Sequence, residues 1–151
     1  MIHIKQATII DLPQLCVLFD AYRQFYKQDA AVDKAKDFLE ARIKNKESVI
    51  FVALDNEKAV GFTQLYPIFS SVSLKRTWLL NDLYVDPGFR KKGVAFQLLQ
   101  KAKEHGIKTS SKWLLLQTDA GNDIAQSVYQ KDGWSRITDH FFQFNLPPSI
   151  S

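Results

Sequence analysis

The stretch Arg90-Lys91-Lys92-Gly93-Val94-Ala95 places three consecutive cations, a glycine and two small apolar residues at the start of a helical apolar pattern. Cations sit badly at that end of a helix, where the dipole favours anions. The first helical N–H groups have no internal partner. A turn that aims several of them outward makes an anion nest. Gly93 has no Cβ and would let a phosphate approach the backbone. Ala95 is the next smallest choice where the helix must pack tightly. Arg90, Lys91 and Lys92 would then complement the phosphate rather than the dipole. A solvated basic helix start is the alternative reading of this stretch taken alone, because short glycine motifs are unspecific.

The elements around it must put the nest at the end of a strand. Trp78 to Val85 reads as a strand, closed by Asp86-Pro87-Gly88. Lys92 to Gly106 reads as an amphipathic helix with Phe96, Leu98, Leu99 and Ala102 inward, and Gly106 as its stop. Trp113 to Gln117 is a second apolar strand. Strand, helix and strand at this length form a crossover unit with parallel strands. Its ligand crevice lies at the carboxyl ends of the strands.

Upstream, Ile2 to Gln6 alternates as a short strand. Leu12 to Tyr26 carries apolar residues at helical spacing after Asp11 and Pro13, and Asp33 to Lys44 is a second, more exposed helix. Val49 to Leu54 and Ala59 to Phe69 flank the turn Asp55-Asn56-Glu57-Lys58 and read as a hairpin. Downstream, Asp123 to Gln130 reads as a helix, and Trp134 to Ile137 and Phe141 to Leu146 as closing strands. The expectation is a mixed α/β fold in one domain over residues 1–151.

The composition is that of an ordinary globular chain: 151 residues, 46% hydrophobic, 24% charged, net charge +4. No apolar run is long enough to span a bilayer. The first fifteen residues lack a basic region and a small-residue cleavage site, so a cytoplasmic protein without a membrane partner is expected. Cationic residues are scattered apart from the one cluster, which argues against nucleic acid. Cys16 is the single cysteine and reads as core. His3, His105 and His140 have no metal-like spacing, so no metal site is expected, and His105 beside Gly106 reads as a helix C-terminal residue. Trp78, Trp113 and Trp134 read as core.

The run Leu80-Asn-Asp-Leu-Tyr-Val-Asp-Pro-Gly-Phe-Arg-Lys-Lys-Gly-Val-Ala95 resembles the acetyl-CoA-binding motif of the GNAT superfamily of N-acetyltransferases, Arg/Gln-x-x-Gly-x-Gly/Ala between a strand and a helix. Asn122, Ala125, Tyr129 and Gly133-Trp134 resemble the family's Asn-x-x-Ala-x-x-x-Tyr-x-x-x-Gly-Phe/Trp signature. The resemblance extends in element order along nearly the whole chain. It implies a mostly antiparallel central sheet with one splayed parallel pair, flanked by helices.

It also implies a mechanism. The pantetheine arm would pair with the strand backbone at Leu83, Tyr84 and Val85. The pyrophosphate would lie on the nest formed by Arg90, Lys91, Lys92, Gly93, Val94, Ala95 and Phe96. Asn122 would hydrogen-bond the cofactor arm through its amide. An amine would attack the thioester directly, and Tyr129 would protonate the departing thiolate, a transfer uphill only modestly. Several relatives carry a glutamate base where this chain has Asn81, which cannot accept a proton in that way. Strand alternation turns the neighbouring Asp82 to the other face. Asp82 reaching the cleft through a bulge, Asn81 positioning a water, and an amine that arrives neutral are the three alternatives. The loop after the first helix, with Tyr22, Phe25 and Tyr26, is either core or acceptor contact. The reading is an N-acetyltransferase using acetyl-CoA on a small-molecule or peptidyl primary amine. A non-catalytic acyl-CoA-binding module of the same fold is the rival. The crowding of Phe141, Phe142 and Phe144, together with the family's frequent dimers, points to a homodimer.

Overall fold

The computed structural model describes residues 1–148. A five-stranded sheet runs in chain order: β1 (Ile2–Gln6), β2 (Val49–Asp55), β3 (Lys58–Ser70), β4 (Lys75–Val85) and β5 (Leu114–Leu116). The first four strands are antiparallel neighbours, and β5 lies parallel to β4. Helices α1 (Leu12–Phe25) and α2 (Val32–Lys44) cover one face. Helices α3 (Val94–Lys108) and α4 (Asp123–Lys131) belong to the other.

Alternation in β2 explains both layers. Ile50 and Val52 enter the cluster under α1 and α2, while Phe51 and Ala53 enter the one under α3. A strand buried on both faces reads as a continuous apolar run. Asn56 takes a left-handed conformation (φ 56°) in the tight turn to β3, where asparagine is among the residues that tolerate it.

Several expectations are corrected. Gly106 does not end α3, which continues to Lys108. Gly106 is buried, and a Cβ there would lie 3.2 Å from Leu114 Cδ2, so its role is to let helix and strand approach. Phe96 does not point inward but is 39% exposed; Val94 takes the buried place. Trp113 is not core at 43% exposure, whereas Trp78 is. His105 lies in the last turn of α3, as expected, and its ring packs against Trp78 and Phe51. The closing strands Trp134–Ile137 and Phe141–Leu146 are absent: residues 134–148 have no regular structure, and among the described residues no strand pairs with the outer edge of β5. Phe141, Phe142 and Phe144 stand in solvent.

Candidate active site

The site is made where β4 and β5 part. Their register pairs Trp78, Leu79 and Leu80 with Leu114, Leu115 and Leu116 and ends there. Beyond it β4 continues for five residues beside an open cleft. The cause is local to β4. Gln64 pairs with Asp82 but the next residue, Leu65, pairs with Leu80, so Asn81 is an extra residue bulged out of the ladder. Bulges of this kind bend a strand and re-aim its side chains. The Asp86 amide donates to the Val60 carbonyl at 2.8 Å. By alternation Tyr84 faces β3, and the backbone groups of Leu83 and Val85 face the cleft. Gly61 opposite Val85 is required for this pairing, because a Cβ would lie 2.9 Å from the Tyr84 carbonyl oxygen.

The cleft holds a cavity of about 490 Å³, lined among others by Asn81, Leu83, Tyr84, Val85, Asn122 and Tyr129. At one end stands the turn before α3. Lys91 (φ 61°) and Gly93 (φ 79°) both take the left-handed conformation, which costs a non-glycine residue about 1–2 kcal/mol. Gly93 is the N-cap of α3 and supplies no side-chain cap. The first helical bond runs from the Gln97 amide to the Gly93 carbonyl. The amides of Val94, Ala95 and Phe96 therefore have no acceptor within the helix. A Cβ on Gly93 would meet nothing within 4 Å, so the space before these amides is open. Lys91 and Lys92 are exposed beside it.

Arg90 differs from its two neighbours. Its Nε donates to the Val85 carbonyl at 3.0 Å, and its guanidinium stacks 5.8 Å from the Phe25 ring and 5.6 Å from that of Tyr84. It is folded onto the end of β4 instead of standing free beside the nest.

Across the cleft, Tyr129 projects from α4 and packs against Trp134 with ring centroids 6.3 Å apart. Burial, then the Tyr26 hydroxyl, raises its phenol above the ordinary value. The helix is tied to α3 by Lys103 Nζ on Asp132 Oδ2 at 2.6 Å. Asn122 caps α4: its Oδ1 accepts from the Ala125 amide at 3.1 Å. Only its NH₂ is left to face a ligand.

The extra residue Asn81 shifts the phase of β4, since Trp78 and Leu80 pack under α3 with Leu83 and Val85. Asp82 is thereby turned to the face of α1, where it is 4% exposed. Its Oδ2 accepts from Gln64 Nε2 at 2.7 Å and its Oδ1 from Asn81 Nδ2 at 3.1 Å. The Tyr22 hydroxyl approaches the same carboxyl group. Gln64 is fully buried, and its Oε1 accepts from Ser48 Oγ at 2.7 Å. Burial outweighs these bonds and raises the Asp82 carboxyl above the usual range. Its charge in turn pushes Tyr66, already raised by burial, up to about 12. Asn81, Tyr22 and Tyr129 line the cavity, and Asp82 touches it through the first two.

Two supports of this site carry no motif. Gln64 shows in the sequence only as a polar residue inside an apolar strand. Asp20, 5% exposed, accepts from Arg23 Nη1, Gln24 Nε2 and the Ala31 amide. It fixes the turn between α1 and α2 that carries Phe25 and Tyr26.

The acetyltransferase (GNAT) family model matches residues 12–134, and the chain belongs to that family. An N-acetyltransferase of Bacillus subtilis (strain 168) described as uncharacterized is 45% identical over 136 residues, which cover 90% of this chain and 91% of the relative. The crystal structure of a probable acetyltransferase is 42% identical, with a TM-score of 0.88 and 99% of both chains covered. The aminoglycoside N-acetyltransferase AAC(6')-Iy in complex with CoA shares the fold at 21% identity and a TM-score of 0.82, covering 96% of this chain and 95% of that one.

Proposed function

We propose that this chain transfers an acetyl group from acetyl-CoA to a primary amine by direct attack within a ternary complex. The observation that carries the reading is the parting of β4 and β5 past Leu80. It leaves the backbone of Leu83 and Val85 outside the strand ladder, with the Val85 carbonyl held only by Arg90 Nε, along a cleft that ends at the uncapped amides of α3. A linear amide chain ending in phosphates is complementary to that sequence of groups: ladder pairing first, then an anion nest flanked by Lys91 and Lys92. The CoA bound to the aminoglycoside N-acetyltransferase of the same fold supports the assignment.

Acetyl-CoA supplies an activated acyl group, and the residues of the cleft manage the protons. A backbone N–H near Val85 stabilises the developing oxyanion. The amine nitrogen bonds to the acetyl carbon as the carbon–sulfur bond breaks. Tyr129 donates a proton to the departing sulfur. An ammonium acceptor must first give up one proton. Asp82, whose raised proton affinity suits a base, takes it by way of Tyr22 or a water held by Asn81. The nitrogen's second proton balances the one Tyr129 supplies.

The reading also places a homodimer interface at the exposed aromatic residues after α4. Incubation with acetyl-CoA and a panel of amines, followed by mass spectrometry, tests the activity. Acetylated product is the expected result; acetyl-CoA binding without product from any amine leaves a binding module instead.

A further inference from the structure

A second cavity, of about 640 Å³, borders β5. It is lined by Leu114, Leu115 and Leu116 of that strand, by Tyr129 of α4, and by Trp134 and Ile137 of the segment after α4. Among the described residues no strand pairs with this edge of β5. An open edge presents unmet N–H and C=O groups and accepts a further strand. Leu114, Leu116, Tyr129 and Trp134 also pack on the core under α3, so the slot has an apolar side.

The chain carries an extended segment to match. Residues 141–146 have no regular structure, and Phe141, Phe142, Phe144 and Leu146 are between 79% and 97% exposed. Gln143 Nε2 donates to Asn145 Oδ1 at 2.6 Å, so these two side chains share one side of the segment. By alternation Phe142, Phe144 and Leu146 share the other. Nothing between the slot wall and this segment reverses the chain. Thr138-Asp139-His140 contains no glycine, and no described residue after Gly133 takes the positive φ that tight hairpin turns require. The slot also shares a wall with the cofactor cleft: Leu116, Gln117, Thr118 and Tyr129 line both.

We propose that two copies of this chain exchange the segment, residues 141–146 of each lying in the slot of the other and pairing with the outer edge of β5. Phe142, Phe144 and Leu146 then cover Leu114, Leu116 and Trp134, and Gln143 and Asn145 face away from them. Each chain supplies one slot and one strand, so the contact is reciprocal and closes as a two-fold dimer. The inserted strand fixes the end of β5 and backs Tyr129, so that each active site is completed by the other chain. This catalytic consequence rests on the acetyltransferase reading; the strand pairing does not.

Phe142→Ser with Phe144→Ser, compared with the parent, tests the exchange. Light scattering at micromolar concentration should change from dimer to monomer. Hydrogen exchange read by mass spectrometry should find the amides of Leu114–Leu116 protected in the parent, with that protection lost in the double variant. With an amine that the parent acetylates, kcat should fall at least about tenfold as Tyr129 loses its support. The thermal shift with acetyl-CoA should be kept, since no residue of the nest lines the slot. Co-expression with Gly93→Glu, whose segment is intact, should restore up to about a quarter of parental activity, because a mixed dimer seats a sound strand beside a sound nest. A monomeric parent, a double variant that stays dimeric, β5 amides that exchange alike in both proteins, or co-expression that restores nothing overturns the exchange. A dimeric parent with protected β5 amides that acetylates no amine supports the exchange and overturns the acetyltransferase reading instead.

Discussion

Gln64 and Asp82 lie opposite each other on β3 and β4, and the Gln64 amide donates to the Asp82 carboxylate at 2.7 Å with both side chains buried. The bond orients the acid but does not recover what burial costs it, since the carboxyl is raised above its ordinary value. A group whose proton affinity rises on folding binds more protons in the folded state than in the unfolded one. Its effect on stability is therefore most favourable below the unfolded carboxylate range and is lost as pH rises through the folded value. Asp82→Asn should gain in Tm relative to the parent as pH is raised from about 4 to 8. Its kcat should fall by about 10²- to 10⁴-fold, the usual contribution of one acid–base group. Parallel thermal melts and steady-state kinetics check both. A kcat near that of the parent would remove Asp82 from the proton path.

Gly93→Glu adds bulk and a negative charge before the free amides of α3, at a left-handed position (φ 79°) that L side chains rarely adopt. The variant should lose the thermal stabilisation by acetyl-CoA, which for the parent at about 100 times Kd amounts to roughly 2.7 kcal/mol. Retention of that shift in a folded variant would exclude the nest as the phosphate site.

Tyr129→Phe keeps the ring and its packing on Trp134 but removes the proton. It should lower kcat by about 10- to 1,000-fold with little change in the KM for acetyl-CoA. The pH profile should lose its high-pH limb, where the phenol ionises above its ordinary value. A purely packed tyrosine predicts instead a stability loss of about 1 kcal/mol and an intact kcat.

The exposed aromatics of residues 141–146 should be covered by a second copy. Light scattering at micromolar concentration should give a dimer, and Phe142→Ser with Phe144→Ser should shift it toward monomer. A parent that is monomeric throughout this range would contradict the assignment.

The parts of the fold that were legible in the sequence are those with a local cause. The crossover from β4 through α3 to β5 follows from apolar periodicity, and the nest from Gly93 after three cations. Asn81 is legible as an absent base, but the direction of Asp82 is set by the bulge, since alternation from Leu80 alone would place it under α3. The bulge at Asn81 was open, because its signature is a mismatch between two strands and not a pattern in one. The motif places Arg90 beside the nest, but no local pattern shows that its guanidinium also rests on the Val85 carbonyl and on the rings of Phe25 and Tyr84. Gly106 was read as a stop because a helix terminus and a tight helix–strand contact both favour glycine. The C-terminal strands followed from local β propensity alone. A strand needs a neighbour, and none pairs with this segment among the described residues.

Arg90 gives cofactor entry an unusual form. Its Nε occupies the Val85 carbonyl that the proposed pantetheine pairing would use. On the proposed reading, binding would be a displacement, in which an internal ligand departs as the external one arrives. The affinity would then be the difference between two associations, and the released guanidinium would stand at the mouth of the cleft near Lys91 and Lys92. The same side chain would close the empty site and face the phosphates of the filled one.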